Sequence, residues 1–250
     1  MTLLAVERIK LFSTRSPYWC TALAIAMSVG FAALLAANAD QVGVGLTQAG
    51  TRLALVVVLV LGALAVTTEY RFSTIRATFL AVPGRTSALV AKTAVVALVA
   101  GVIGEVAAFG SWAIAKVIKP NADLAINTGA EWRAVAGVGL TFAIGAILAI
   151  AVGILVRQTA GAVAILLVWS MLAENLVGLI PKVGVKIQAW LPFMNADNFL
   201  AVNTPSAGEV EATGGGVVFK LSQWGSLAYF AGIAVALLVV ALVVAKRRDA

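Results

Sequence analysis

The sequence has no histidine, a single cysteine, Cys20, and charged side chains at only 12% of its 250 positions. Without histidine the commonest metal ligand and the commonest general base are missing, which excludes zinc sites and Ser/His/Asp hydrolysis. One cysteine cannot close an intramolecular disulfide. The scarcity of charge, set beside 62% hydrophobic residues and a mean hydropathy of +1.02, excludes a water-soluble globule, whose surface needs far more mixed charge. A Gly-rich phosphate-binding loop ending in Lys and Ser or Thr is also absent: Gly214-Gly215-Gly216 has no such lysine. The net charge of +7 does not point to nucleic acid, because Lys and Arg gather at the ends of apolar runs and form no basic stripe with interleaved aromatics.

What the chain does have is long apolar runs. They lie at about 18–37, 51–68, 88–116, 133–156, 160–180 and 223–245, close to the ~20 residues that cross a ~30 Å hydrocarbon core. The second is somewhat short and the third is long enough to tilt. The first follows Glu7, Arg8, Lys10 and Arg15, is too long for a signal-peptide core and precedes no convincing cleavage site, so it is kept as a helix of the mature protein. The expectation is an all-α integral membrane protein, one domain over 1–250 with six transmembrane helices and both termini on one side.

Lys and Arg favour the cytoplasmic flank. The side with both termini holds Arg8, Lys10, Arg15, Arg71, Arg76, Arg85, Lys92, Arg157, Lys246, Arg247 and Arg248. The other holds Arg52, Lys116, Lys119, Arg133, Lys182, Lys186 and Lys220, diluted by Asp40, Asp123, Glu131, Asp197, Glu209 and Glu211. Both termini are therefore expected in the cytoplasm.

Three segments lie outside the spans. Residues 1–16 alternate Leu3, Leu4, Val6, Ile9 and Leu11 with Glu7, Arg8 and Lys10, a pattern for an interfacial helix leading like an elbow into the first span; a frayed positive leader is the alternative. Residues 69–85 are the densest polar stretch on the cytoplasmic side. A short helix over 69–80 would group Phe72, Ile75, Phe79 and Leu80 on one face and turn Arg71, Ser73 and Thr74 elsewhere, with Pro83-Gly84 breaking it. Residues 181–221 form the longest connection, with Trp190, Phe193 and Phe199 apolar enough to dip into the interface and a flexible-looking stretch over 207–216.

The phrase over 61–92, with Glu69-Tyr70-Arg71 closing the second span, then Thr74-Ile75-Arg76, then Pro83 and Arg85, then Ala91-Lys92 opening the third, resembles the permeases of actinobacterial ABC-2 type transporters. The stretch 7–19, with its Arg-Ser pair and aromatics before the first span, is similar to that family's leader, and the hydropathy profile matches along essentially the whole chain. The resemblance implies an ABC-2, type V exporter-like fold in a bacterial plasma membrane. It also implies a dimer, formed with a second permease copy or a paralogue, that pairs with cytoplasmic ABC ATPase subunits. ATP and Mg would then be bound by the ATPase partner, no cofactor by this chain, and no catalysis would occur here. The 69–85 loop becomes a coupling helix, making Glu69, Tyr70, Arg71, Thr74, Arg76, Pro83 and Arg85 candidates for the ATPase interface. For Arg71, Arg76, Arg85 and Lys92 the alternative is anchoring on lipid phosphate. The outer connection would hold short re-entrant helices.

Two carboxylates fall within spans, where an ionised group costs several kcal/mol unless it faces a partner or water. Glu105 reads either as a proton or substrate-cation site or as a structural hydrogen-bond partner of Ser111 or Thr141. Glu174, followed by Asn175, reads as a second polar position, suited to hydrogen bonding in a helix at a dimer interface. Together they define the rival reading, a proton-coupled secondary transporter using Glu105 and Glu174. Gly101 with Gly104, Gly137 with Gly139, and Ala24 with Ser28 are small-residue pairs that let helices approach closely. The cargo expected is a hydrophobic or amphipathic compound such as a drug, lipid or peptide.

Overall fold

The computed structural model describes residues 3–75, 85–181, 183–203 and 217–248, and among these every regular element is helical. In chain order they are α1 (Leu3–Phe12), α2 (Ser16–Asn38), α3 (Val44–Thr47), α4 (Thr51–Arg71), α5 (Arg85–Ile118), α6 (Gly129–Val156), α7 (Thr159–Leu167), a π-helical segment (Val168–Ala173), α8 (Glu174–Val177), α9 (Gly184–Gln188), α10 (Pro192–Leu200) and α11 (Gln223–Arg248). Six stretches are long and apolar enough to cross a membrane: α2, α3 with α4, α5, α6, α7 through α8, and α11. The six expected spans are all present, each within a few residues of its expected limits. Two differences are informative. The fifth span is a composite of α, π and α segments, and the short helix α3 precedes the second.

Helix ends follow local chemistry. Thr128 and Glu131 form a capping box at the start of α6: the Glu131 amide donates to Thr128 Oγ1 at 3.2 Å and the Thr128 amide donates to Glu131 Oε2 at 2.8 Å. Arg157, left-handed at φ 58°, ends that helix. Pro17 sits in the first turn of α2, where its missing N–H leaves nothing unsatisfied. At the other end of α2, Lys119 Nζ donates to the Ala39 carbonyl at 2.8 Å, a cation on orphan backbone oxygens.

The centre of the bundle is α6, packed against α4, α5 and α11. Close approach explains its glycines. A Cβ on Gly104 would meet Gly139 Cα at 2.9 Å and Val138 O at 3.0 Å, and one on Gly62 would meet the Ala149 Cβ at 2.9 Å. These are backbone or near-backbone atoms that cannot swing aside, so only glycine lets α4 and α5 seat on α6. Ala24 and Ser28 are fully buried as expected, and Ser28 Oγ pairs with Ser111 Oγ at 2.9 Å between α2 and α5. By contrast α2, the fifth span and α11 are little covered by the rest of the chain, leaving Leu23, Leu34, Ile165, Leu172, Leu176 and Val239 exposed.

Candidate functional site

Six spans place α1, the end of α4, the start of α5 and the end of α11 at one end of the bundle, here called the terminal face. Its chief feature is a cluster of four charges from three helices. Glu7 comes from α1, Glu69 from the last turn of α4 and Lys92 from the second turn of α5. Lys92 Nζ donates to Glu7 Oε2 at 2.5 Å and to Glu69 Oε1 at 2.9 Å. Lys10 closes the ring, 2.9 Å from Glu7 Oε1 and 3.6 Å from Glu69 Oε1.

Glu7 is 3% exposed and Lys92 6%, so these are buried ions whose desolvation is offset by one another and by Lys10 and Glu69. Two carboxylates and two ammoniums leave no net charge. Burial pulls the Lys10 ammonium down, but the Glu7 hydrogen bond and the charges of Glu69 and Glu7 outweigh it and hold the group above its ordinary value. A folded-state value raised in this way adds stability that is complete below the ordinary lysine range and is lost only as pH rises above it. The ring therefore loses nothing through Lys10 at neutral pH.

Beside the ring lies a cavity of about 700 Å3 between α1, the turn into α2, α4 and α5. Glu7, Lys10, Glu69 and Lys92 form one wall, with Ser13, Thr14, Ser16 and Thr68 near them; Leu11, Leu61, Leu64, Ala65 and Val96 line the apolar part, and Phe72 and Thr74 stand at its exposed edge.

The 69–85 segment departs from the expected single helix over 69–80. Residues 69–71 continue α4, the chain turns at Phe72 and Ser73, and Ser73 is left-handed at φ 58°. Glu69, expected to face a partner, has its carboxylate turned inward onto Lys92. Tyr70 carries the Arg157 guanidinium over its ring at 5.0 Å, tying the end of α4 to the α6–α7 turn. Arg71, Phe72 and Thr74 stand exposed; Phe72 is 69% exposed and the Arg71 guanidinium lies over its ring at 5.5 Å. Ile75, expected on the apolar face with Phe72, is buried. Arg76, Phe79, Leu80 and Pro83 lie outside the described residues. Arg85 begins α5, but its side chain is likewise outside them.

At the opposite end, Glu174 is fully buried and accepts three hydrogen bonds: from the Phe193 amide at 3.1 Å, the Met194 amide at 2.8 Å and Trp169 Nε1 at 2.9 Å. Phe193 and Met194 stand in the first turn of α10, so Glu174 caps that helix from another part of the chain. Arg133 caps the other end, donating to the Phe199 carbonyl at 2.6 Å and the Ala201 carbonyl at 2.7 Å. Arg52 binds Asp197 on α10 as an ion pair and donates to the Ser170 carbonyl of the π segment at 3.0 Å. An anion at its N-terminus, a cation at its C-terminus and a salt bridge at its flank thus fix a short helix lodged among α6, α8 and α11. Asn175 takes no part; its amide donates to the Met171 carbonyl in the preceding π segment.

Glu105 is half-buried against Gly139, where any side chain would collide with its carboxylate. Its expected partners bond elsewhere: Ser111 to Ser28, and Thr141 to the Gly137 carbonyl at 3.2 Å. The structure does not bring Glu105 and Glu174 together in any shared network.

The four-charge ring was legible only in part. Glu69 and Lys92 stand in the motif read from the sequence, whereas Glu7 reads as an elbow charge 85 residues from its partner Lys92. Arg133 and Asp197 read as outer-loop charges, and nothing in composition marks either as a clamp.

These features define a multi-pass membrane protein, all-helical among the described residues, with a charge-neutral ring anchored on buried Glu7 and Lys92 at its terminal face and a clamped short helix opposite. Comparison of the chain with protein-family models, curated proteins and solved structures finds no match.

Proposed function

We propose that this chain is the membrane-spanning permease subunit of an ATP-binding cassette exporter. It would move a hydrophobic or amphipathic compound out of a bacterial cytoplasm, driven by ATP and Mg bound on a separate nucleotide-binding subunit. The observation that carries the reading is the pairing of an exposed tip with a rigid base. Arg71, Phe72 and Thr74 project from the terminal face, and an exposed aromatic with a stacked arginine is the kind of pair that anchors protein interfaces. Two residues earlier, Glu69 is locked to Lys92 and, through it, to Glu7. A push on the tip is therefore delivered to α1, α4 and α5 at once.

Both termini then face the cytoplasm, in keeping with the Lys and Arg balance. The weakly covered α2, fifth span and α11 offer surface for a second permease copy or a paralogue. The alternative is a proton-coupled secondary transporter using Glu105 and Glu174, of which Glu105 lies half-buried in α5.

The test is charge reversal at the tip. Arg71→Glu is expected to lower ATP-driven transport by about tenfold, the loss that follows when an interface contact worth 1.4 kcal/mol is removed, while expression and thermal stability stay at wild-type levels. A single-cysteine chain, Cys20→Ala with Thr74→Cys, is expected to cross-link to the ATPase. Unchanged transport by the reversal variant together with no cross-link would refute the coupling role.

A further inference from the structure

We infer that the terminal-face cavity binds a single-chain amphiphile with an uncharged, hydroxyl-bearing head. Its volume of about 700 Å3 lies in the range of small-molecule sites. Its chemistry is polarised along α4: Glu69 and Thr68 mark the polar end, and Leu61 lies eight residues deeper, about 12 Å at 1.5 Å per residue. Leu11, Leu64, Ala65 and Val96 belong to the apolar part. That shape suits a polar head at the ring and one hydrocarbon chain running toward the middle of the bundle.

Two observations select the head. The ring is electrically closed, each carboxylate already facing two ammoniums. A charged head would have to compete with one of these pairs for its counterion. The hydroxyls nearby supply the second observation. Ser13 donates to the Lys10 carbonyl at 2.8 Å, Thr14 to the Leu11 carbonyl at 3.1 Å and Thr68 to the Leu64 carbonyl at 2.6 Å. Ser13 and Thr68 have each placed their one proton on the backbone, so toward the cavity these oxygens act as acceptors, while Thr14 Oγ1 also lies 3.3 Å from Ser16 Oγ. The complementary head is neutral and brings its own O–H donors, as a glycerol or sugar does.

The source can be a bilayer lipid or a soluble amphiphile, and the experiment separates them. The purified full chain in phosphatidylcholine nanodiscs is titrated with radiolabelled monolauroylglycerol, dodecylammonium and dodecyl phosphate, with empty nanodiscs as background. Saturable binding of monolauroylglycerol, about tenfold tighter than either charged probe, is expected. Ala65→Phe, which fills the apolar part, should abolish it. Thr68→Val, which keeps the volume and removes an acceptor, should weaken it severalfold without altering thermal unfolding.

Solvent extraction of the protein from native membranes identifies the source. A retained neutral lipid supports the bilayer, and an empty extract with saturable probe binding supports a soluble ligand. Equal affinity for all three probes, or wild-type affinity in Thr68→Val and in a folded Ala65→Phe, overturns the inference. Binding is read without any ATPase, so its failure leaves the transport proposal standing, and the reverse also holds.

Discussion

Replacing Lys92 by methionine is expected to destabilise the protein by about 3–5 kcal/mol, the usual cost of breaking a buried ion pair from one side. The substitution nearly preserves side-chain volume, so packing is not the cause. It leaves Glu7 and Glu69 facing one another with Lys10 as their only counterion, and Glu7 has almost no access to water. The double variant Glu7→Gln with Lys92→Met removes one negative charge along with the positive one, and leaves Lys10 to balance Glu69. It should therefore be less destabilised than the sum of the single variants. Thermal unfolding followed by circular dichroism in detergent checks both statements, and strict additivity would show that the ring does not act as a unit.

The second large effect lies at the other end. Glu174→Ala strands the amides of Phe193 and Met194 and the indole N–H of Trp169, and removes the anion from the N-terminus of α10. Buried donors without partners cost about 1–3 kcal/mol each, so a loss on the order of 3 kcal/mol is expected. Glu174→Gln keeps one acceptor oxygen and should lose only about 1 kcal/mol. Hydrogen exchange reads the effect locally: the amides of residues 193 and 194 should exchange markedly faster in the alanine variant. The proton-carrier reading expects something else, an equal loss of proton-coupled uptake in both variants with stability untouched. The geometry favours the first outcome, because Glu174 is already occupied by three donors and Glu105 shares no network with it.

How much of this was readable in the chain depends on the range of the interaction. The spans were legible because each is a local property of about 20 residues meeting a hydrocarbon slab. Glycines such as Gly104 and Gly139 were legible as packing positions, since small residues in lipid have few other uses. Connections that join distant residues were not. Glu7 and Lys92 are neighbours only after α1 folds back on α5, and Arg133 reaches the end of α10 across 66 residues. The π segment is silent for another reason: Val168 to Ala173 has the composition of any apolar helix. The short helix α3 lies outside every apolar run read from the sequence, and it buries Val44 and Thr47.

Within the motif around 69–92, Glu69 and Lys92 join two spans inside the bundle, and Arg71, Phe72 and Thr74 stand outside it, so one short phrase holds a buried anchor and an exposed tip.

The most direct measurement is purification of the full chain from its native membrane under mild conditions, with native mass spectrometry of what comes with it. A stoichiometric soluble subunit bearing a phosphate-binding loop is expected, with nucleotide-dependent transport only when that subunit is present. Transport by the chain alone, driven by a proton gradient and indifferent to ATP, would contradict it.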